Sequence, residues 1–167
     1  MSFAIHDRNP TDRIEDAFFC VQRDRMADVP ILNPALSVAA VDFQPWQGHW
    51  LGVLVTPWFM SVLLLPGKKD DWESVGDNRR RFVRFPAGDF PFLGSEDVGF
   101  GEFQSCSLFS PMERFSSQAE AVMTARASLI ALLQPASPEA APKTAEAPAS
   151  PARRRFFAPF VRGATGQ

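Results

Sequence analysis

Two histidines and two cysteines in this 167-residue chain are the residues whose types most directly suggest nucleophile-and-base or metal-ligand chemistry. Cys20 and Cys106 lie far apart with no CxxC companion, so the spacing predicts neither a disulfide framework nor a structural zinc site. His6 sits near the N-terminus and His49 at the start of a predicted strand. A Cys106/His49 pair with a carboxylate would have the residue types of a nucleophile and base. A small Cys inside QSCSLFS, at a strand end, is more simply a buried apolar side chain. The cluster Asp70, Asp71 and Glu73 is most simply a solvated loop. VGFGEF lacks the strand-to-helix setting of a dinucleotide fingerprint, and no G-x-x-x-x-G-K-[ST] loop occurs. The residues therefore predict no catalytic, cofactor or metal site and a protein that is not an enzyme.

Surface chemistry is better represented. The chain holds 16 Phe and 4 Trp but no Tyr, so one common acid, base and hydroxyl donor is missing. Trp46, in the turn signal QPWQG, and Trp58, just after Thr56-Pro57, are not placed in a core by periodicity. Large aromatic side chains at loop tips are typical anchors of protein interfaces. Trp50, within a strand, reads as a core residue. At the far end, RRRFFAPFVRG (153–163) combines arginines for acidic contacts with phenylalanines for an apolar groove, a tethered linear motif in type.

The elements that position these residues follow from periodicity. Thr11 to Ala27 predicts a helix, with Ile14, Phe18 and Val21 on one face and Asp12, Glu15 and Asp16 in its first turns. Leu36–Phe43, His49–Val55 and Trp58–Leu65 follow one another too closely for crossover helices and predict an antiparallel meander. Arg79–Phe85, Phe90–Leu93 and Phe100–Leu108 are further strand candidates. Ser117 and Glu120 have capping-box spacing ahead of the stripe Val122, Ala125, Leu129, Leu132, before Pro135. The fold class is α+β: an N-terminal helix, an antiparallel sheet of five or six strands and a C-terminal helix packed on it, both helices on one face.

Composition changes at Gln134. Residues 134–152 hold 5 Pro and 7 Ala, too little apolar bulk to order, and predict a flexible linker. Residues 1–133 carry a net charge of −5, and residues 134–167 a net charge of +3. An acidic domain (1–133) with a basic, aromatic C-terminal segment (153–167) argues against nucleic acid as partner. No apolar run approaches a membrane span and no signal peptide opens the chain, so a cytoplasmic location is expected.

NPAL (33–36), VDFQPWQGHWLGVLVTPWFMSVLLLPG (41–67), GEFQSCSLFSPM (101–112) and a closing Arg-Arg-x-Phe segment together resemble the nickel-iron hydrogenase assembly chaperones of the HybE type, with their HupJ and HoxT members. The most specific part is W-x-G-x-x-x-T-P-W followed by P-G: Trp50, Gly52, Thr56, Pro57, Trp58, Pro66 and Gly67. The resemblance implies a non-catalytic accessory protein in maturation of an uptake hydrogenase. It implies partners among the large or small hydrogenase subunit precursors and other maturation proteins, met before export. Some relatives are fused to a rubredoxin; without a CxxC pair this chain has no such iron site. The long Ala/Pro spacer and the inserted Ala158-Pro159 depart from the family's tail. The residues expected to meet the partner are Trp46, Trp50, Thr56, Pro57, Trp58, Pro66 and Gly67, and in the tail Arg154, Arg155, Phe156 and Phe157. Two other functions stand beside this one: a redox-protective or cysteine-dependent maturation factor using Cys106, and a general peptide-binding scaffold.

Overall fold

Residues 11–65 fold in the order the apolar pattern predicts, a helix followed by three strands. The computed structural model describes residues 4–26 and 28–135. The elements are α1 (Thr11–Val21) continued by a π turn (Gln22–Met26), β1 (Ala39–Trp46), β2 (His49–Val55), β3 (Met60–Leu65), β4 (Arg80–Phe85), β5 (Gly88–Asp97), β6 (Gly101–Phe109) and α2 (Gln118–Leu132). The predicted helix over 11–27 is thus α-helical only to Val21. The linker and tail expected over 134–152 and 153–167 lie, from residue 136 on, outside the described residues.

The described residues divide into two units, one of 4–26, 28–85 and 89–131 and one of 86–88 with 132–135. Within the second, the Ala87 N–H donates to the Leu132 carbonyl at 3.3 Å. In the first lies the six-stranded sheet, ordered β1-β2-β3-β6-β5-β4. Pairs β1/β2, β2/β3, β3/β6 and β5/β6 are antiparallel. The β1–β2 turn is two residues long, Gln47 and Gly48, both at positive φ (51° and 82°), the geometry whose twist matches a tight hairpin. A bulge sets Asp42 and Phe43 opposite Gly52. There the Phe43 ring occupies the space a Cβ on residue 52 would fill, 2.4 Å away.

Every residue of β3 is buried. A strand shielded on alternate side chains of both faces needs cover on both sides. On one face Ile14 and Phe18 of α1 join Phe43, Leu54, Leu63, Leu65, Phe100 and Phe103 in a single cluster. On the other, Leu51, Val53, Val62 and Leu64 are equally enclosed. The buried row of α2 in this unit, Ala121, Ala125 and Leu129, stands outside the α1 cluster. Arg126 of α2 reaches Asp42 at the bulge, 3.3 Å away. Alternation in β3 is masked because neither of its faces is solvated. The sheet also curls, since Trp46 at the end of β1 stacks on Phe85 at the end of β4 with ring centroids 4.6 Å apart.

The capping box of α2 is displaced by one residue on one side. The Glu120 N–H donates to Ser117 Oγ at 3.1 Å, but the Glu120 carboxylate accepts from the N–H and hydroxyl of Ser116, at 2.8 and 3.1 Å. Those bonds hold the carboxyl below its ordinary range.

Candidate functional site: the hairpin turn and the cleft beside it

Thr56 is 0% exposed and organises the β2–β3 connection. Its Oγ1 accepts from the N–H groups of Trp58 (3.2 Å) and Phe59 (2.9 Å) and donates to the Phe59 carbonyl (3.0 Å). A side-chain oxygen satisfying the two following amides is the local bonding that makes Thr favourable in turns. Pro57 is buried, and its carbonyl accepts from the Asn33 N–H at 2.9 Å, tying the turn to the NPAL segment. Asn33 Nδ2 in turn donates to the carbonyls of Met112 and Phe115. Trp58 is 8% exposed and packs in the α1 cluster. Trp50 is half-buried, and its Nε1–H donates to the His6 carbonyl at 2.7 Å.

The P-G pair closes the other end of the hairpin. Pro66 is buried and its carbonyl accepts from the His6 N–H at 3.0 Å. A Cβ on Gly67 would lie 2.3 Å from the Gly48 carbonyl oxygen, so only glycine allows this approach of backbones. The Gly67 N–H donates to His49 Nδ1 at 3.1 Å. Thus Thr56, Pro57 and Trp58 frame one end of the β2–β3 hairpin and Pro66 and Gly67 the other, where Gly67 meets the β1–β2 turn that follows half-buried Trp46. Arg154, Arg155, Phe156 and Phe157 lie outside the described residues.

Beside the turn is a cleft of about 370 Å³, lined by Trp46, His49, Asp71, Trp72, Arg81 and Arg84 among others. His49 is buried, and its ring meets Trp72 edge-on at 5.2 Å. Burial, with Lys68 and Arg81 nearby, lowers its pKa, against an opposing pull from the Asp71 carbonyl and carboxylate. Because Nδ1 accepts the Gly67 N–H, the ring proton of the neutral imidazole belongs on Nε2. Behind Trp72, buried Glu102 accepts from its indole N–H at 3.1 Å and from Ser74 Oγ at 2.8 Å. Arg81 donates through Nη1 to the Glu73 carbonyl and to Gln104 Oε1, both at 3.2 Å. Neither Trp72 nor Arg81 is among the partner-contact residues expected from the sequence. The one sequence signal available was a tryptophan placed within a charged loop, DDWES.

Cys106 is half-buried on β6, and burial pushes its thiol up to about 11, far from the activated range of nucleophilic cysteines. Among the described residues no group of three or more His, Cys, Asp or Glu side chains is placed to hold a metal ion. No helix among them is long and apolar enough to cross a membrane.

Known proteins share both this sequence and this fold. The family described as NiFe-hydrogenase assembly, chaperone, HybE matches residues 9–159. The hydrogenase expression/formation protein HupJ of Bradyrhizobium diazoefficiens is 44% identical, covering 79% of this chain and 76% of its own length. HoxT of Cupriavidus necator is 41% identical over 76% of each chain. The solution structure of HybE from Escherichia coli superposes with a TM-score of 0.65 at 26% identity, covering 88% of this chain and 90% of that one. With the T-P-W hairpin, the two helices and the six-stranded antiparallel sheet all in place, the chain belongs to the HybE family of nickel-iron hydrogenase assembly chaperones.

Proposed function

We propose that the chain is a non-catalytic accessory protein in the maturation of an uptake nickel-iron hydrogenase, binding an immature large or small subunit in the cytoplasm before assembly and export. The observation that carries this reading is the family match across residues 9–159, nearly the whole chain. The geometry supports a division of labour within the motif. Buried Thr56, Pro57, Trp58 and Pro66, with Gly67, hold the β2–β3 hairpin rigid, and Trp46 at the adjoining β1–β2 turn offers the aromatic contact surface. Rigid placement of an aromatic anchor keeps the ordering cost of association low. The C-terminal segment, with Arg154, Arg155, Phe156 and Phe157, supplies a second latch at the end of the linker 134–152, separate from the domain 1–133.

Affinity capture from cells making hydrogenase, followed by identification of the co-purifying subunit and its processing state, tests the proposal. Capture of a precursor subunit is expected, and capture of none would overturn it. Deletion of residues 134–167 is expected to weaken capture; unchanged capture and unchanged hydrogenase activity would remove the latch. The Cys106-dependent alternative has the buried thiol against it, and a folded Cys106→Ala variant is expected to support full maturation.

A further inference from the structure

Two nitrogen donors beneath the cleft have no protein acceptor: His49 Nε2 and Arg81 Nε. Both belong to side chains that line it, and both are closed to solvent. Buried donors are ordinarily paired, and each one left unpaired is costly. Their surroundings are otherwise well satisfied. Arg81 Nη1 has two acceptors, Gln104 Nε2 donates to the Glu73 carbonyl at 2.7 Å, and Glu102 is bonded by Trp72 and Ser74. The Asp71 carbonyl influences His49 without completing a hydrogen bond to Nε2. The unmet capacity is therefore for an acceptor, among the described residues it lies at this cleft, and one of the two donors carries a full positive charge.

We propose that the cleft is a binding site for a carboxylate carried on a polypeptide, its two oxygens taken by the N–H groups of His49 and Arg81 and its flanking chain by the rings of Trp46 and Trp72. A carboxylate, with two acceptor oxygens, matches two unpaired donors better than a single carbonyl, and a bond between charged groups is about twice as strong as a neutral one. Of the other charged residues on the lining, Arg84 pairs with Asp89 at 2.7 Å and Asp71 with Lys68 at 3.1 Å, which leaves Arg81 as the lining cation in no ion pair among the described residues. The volume is in the range of specific ligand sites, roughly 300–1,000 Å³, and the lining combines the aromatic faces of Trp46 and Trp72 with polar and charged groups. Because both donor atoms are closed to solvent, occupation of the site needs a side-chain shift at the rim. That the carboxylate arrives on a polypeptide rests on the client-binding reading; the donor geometry does not.

The test uses the full chain, isotope-labelled, and follows the Arg81 Nε–H, His49 ring and Trp46 and Trp72 indole resonances during titration. The probes are N-acetyl Leu-Glu-Leu amide, the same peptide with Gln in place of Glu, and glutarate. The Glu peptide is expected to shift these resonances saturably and to bind about tenfold or more tightly than the Gln peptide, the margin a charge-assisted pair supplies. Equal binding of the two peptides, or no shift at millimolar peptide, would overturn the site. Glutarate matching the Glu peptide would overturn the polypeptide source. Arg81→Lys, which keeps the charge but removes the Nε donor, is expected to abolish the selectivity for Glu over Gln, and Trp46→Ala to weaken both peptides alike. Retained selectivity in Arg81→Lys would overturn the assignment of the donor. Subunit capture run alongside separates the two ideas. A captured subunit with no selective shift overturns the cleft alone, and a selective shift with no captured subunit overturns the client reading alone.

Discussion

Replacing Thr56 by Val separates a structural from a contact role for the T-P-W motif. Valine preserves shape and branching, so the fully buried site loses only its hydroxyl. Three bonds disappear with it, but the losses are unequal. The Phe59 carbonyl keeps the Thr56 N–H as donor at 2.9 Å and stays satisfied. The Trp58 N–H, in a buried bond of 3.2 Å, loses its acceptor outright, and the Phe59 N–H, bonded at 2.9 Å, does so in a half-buried setting. An unsatisfied buried donor costs about 1–3 kcal/mol, and the half-buried one less, giving a destabilisation of about 2–4 kcal/mol. Thr56→Ser keeps the acceptor and loses one buried methyl, about 1 kcal/mol. Urea denaturation followed by tryptophan fluorescence reads both, with the midpoint shifting at unchanged slope. Subunit capture below the transition should survive in the Ser variant. A Val variant within about 0.5 kcal/mol of wild type, or a Ser variant as destabilised as Val, would refute the assignment of the turn to this hydroxyl.

Gly67→Ala drives a Cβ against backbone atoms of Gly48 and His49, at 2.3 and 3.0 Å, and is expected to destabilise by about 1–3 kcal/mol, as overpacking does. Gly76→Ala, which meets only the Arg79 side chain at 3.4 Å and beyond, is the matched control and should be close to neutral; equal losses would discount the hairpin closure. His6 and His49 both titrate below their ordinary value in the fold, chiefly through burial. The unfolded chain then binds protons that the fold does not, so stability is full above the unfolded pKa of about 6.5 and falls as pH drops through the folded values. Urea midpoints measured across this range should decline on acidification, and less so in His49→Gln; a flat profile would contradict the burial of these rings. Iodoacetamide at neutral pH should alkylate exposed Cys20 and spare Cys106, whose thiol lies at about 11, as read by peptide mass spectrometry. Preferential labelling of Cys106 would revive the redox alternative.

What the sequence revealed depended on whether the signal was local. The α2 start was legible because Ser117 and Glu120 satisfy each other's neighbourhood within one turn, and the β1–β2 hairpin because Gln47-Gly48 follows an aromatic strand. The layer arrangement was not. Met60–Leu65 is buried on both faces, so no alternation survives to say which helix lies on which side. Trp58 looked free of periodicity for a related reason: its position follows the Thr56 turn rather than a strand. The absent tyrosines now have a physical setting. Phe85, Phe92 and Phe100 are fully buried, where a phenol would need a partner for its hydroxyl. The cleft was the least legible feature, since its walls come from the β1–β2 turn, the loop before β4, and β4 itself. Only the curl that lays Phe85 on Trp46 brings these segments together. Motif residues recognisable along the chain thus build the frame, and the residues suited to meeting a partner are dispersed around it, a separation that follows from rigidity being set by local bonding and recognition by tertiary approach.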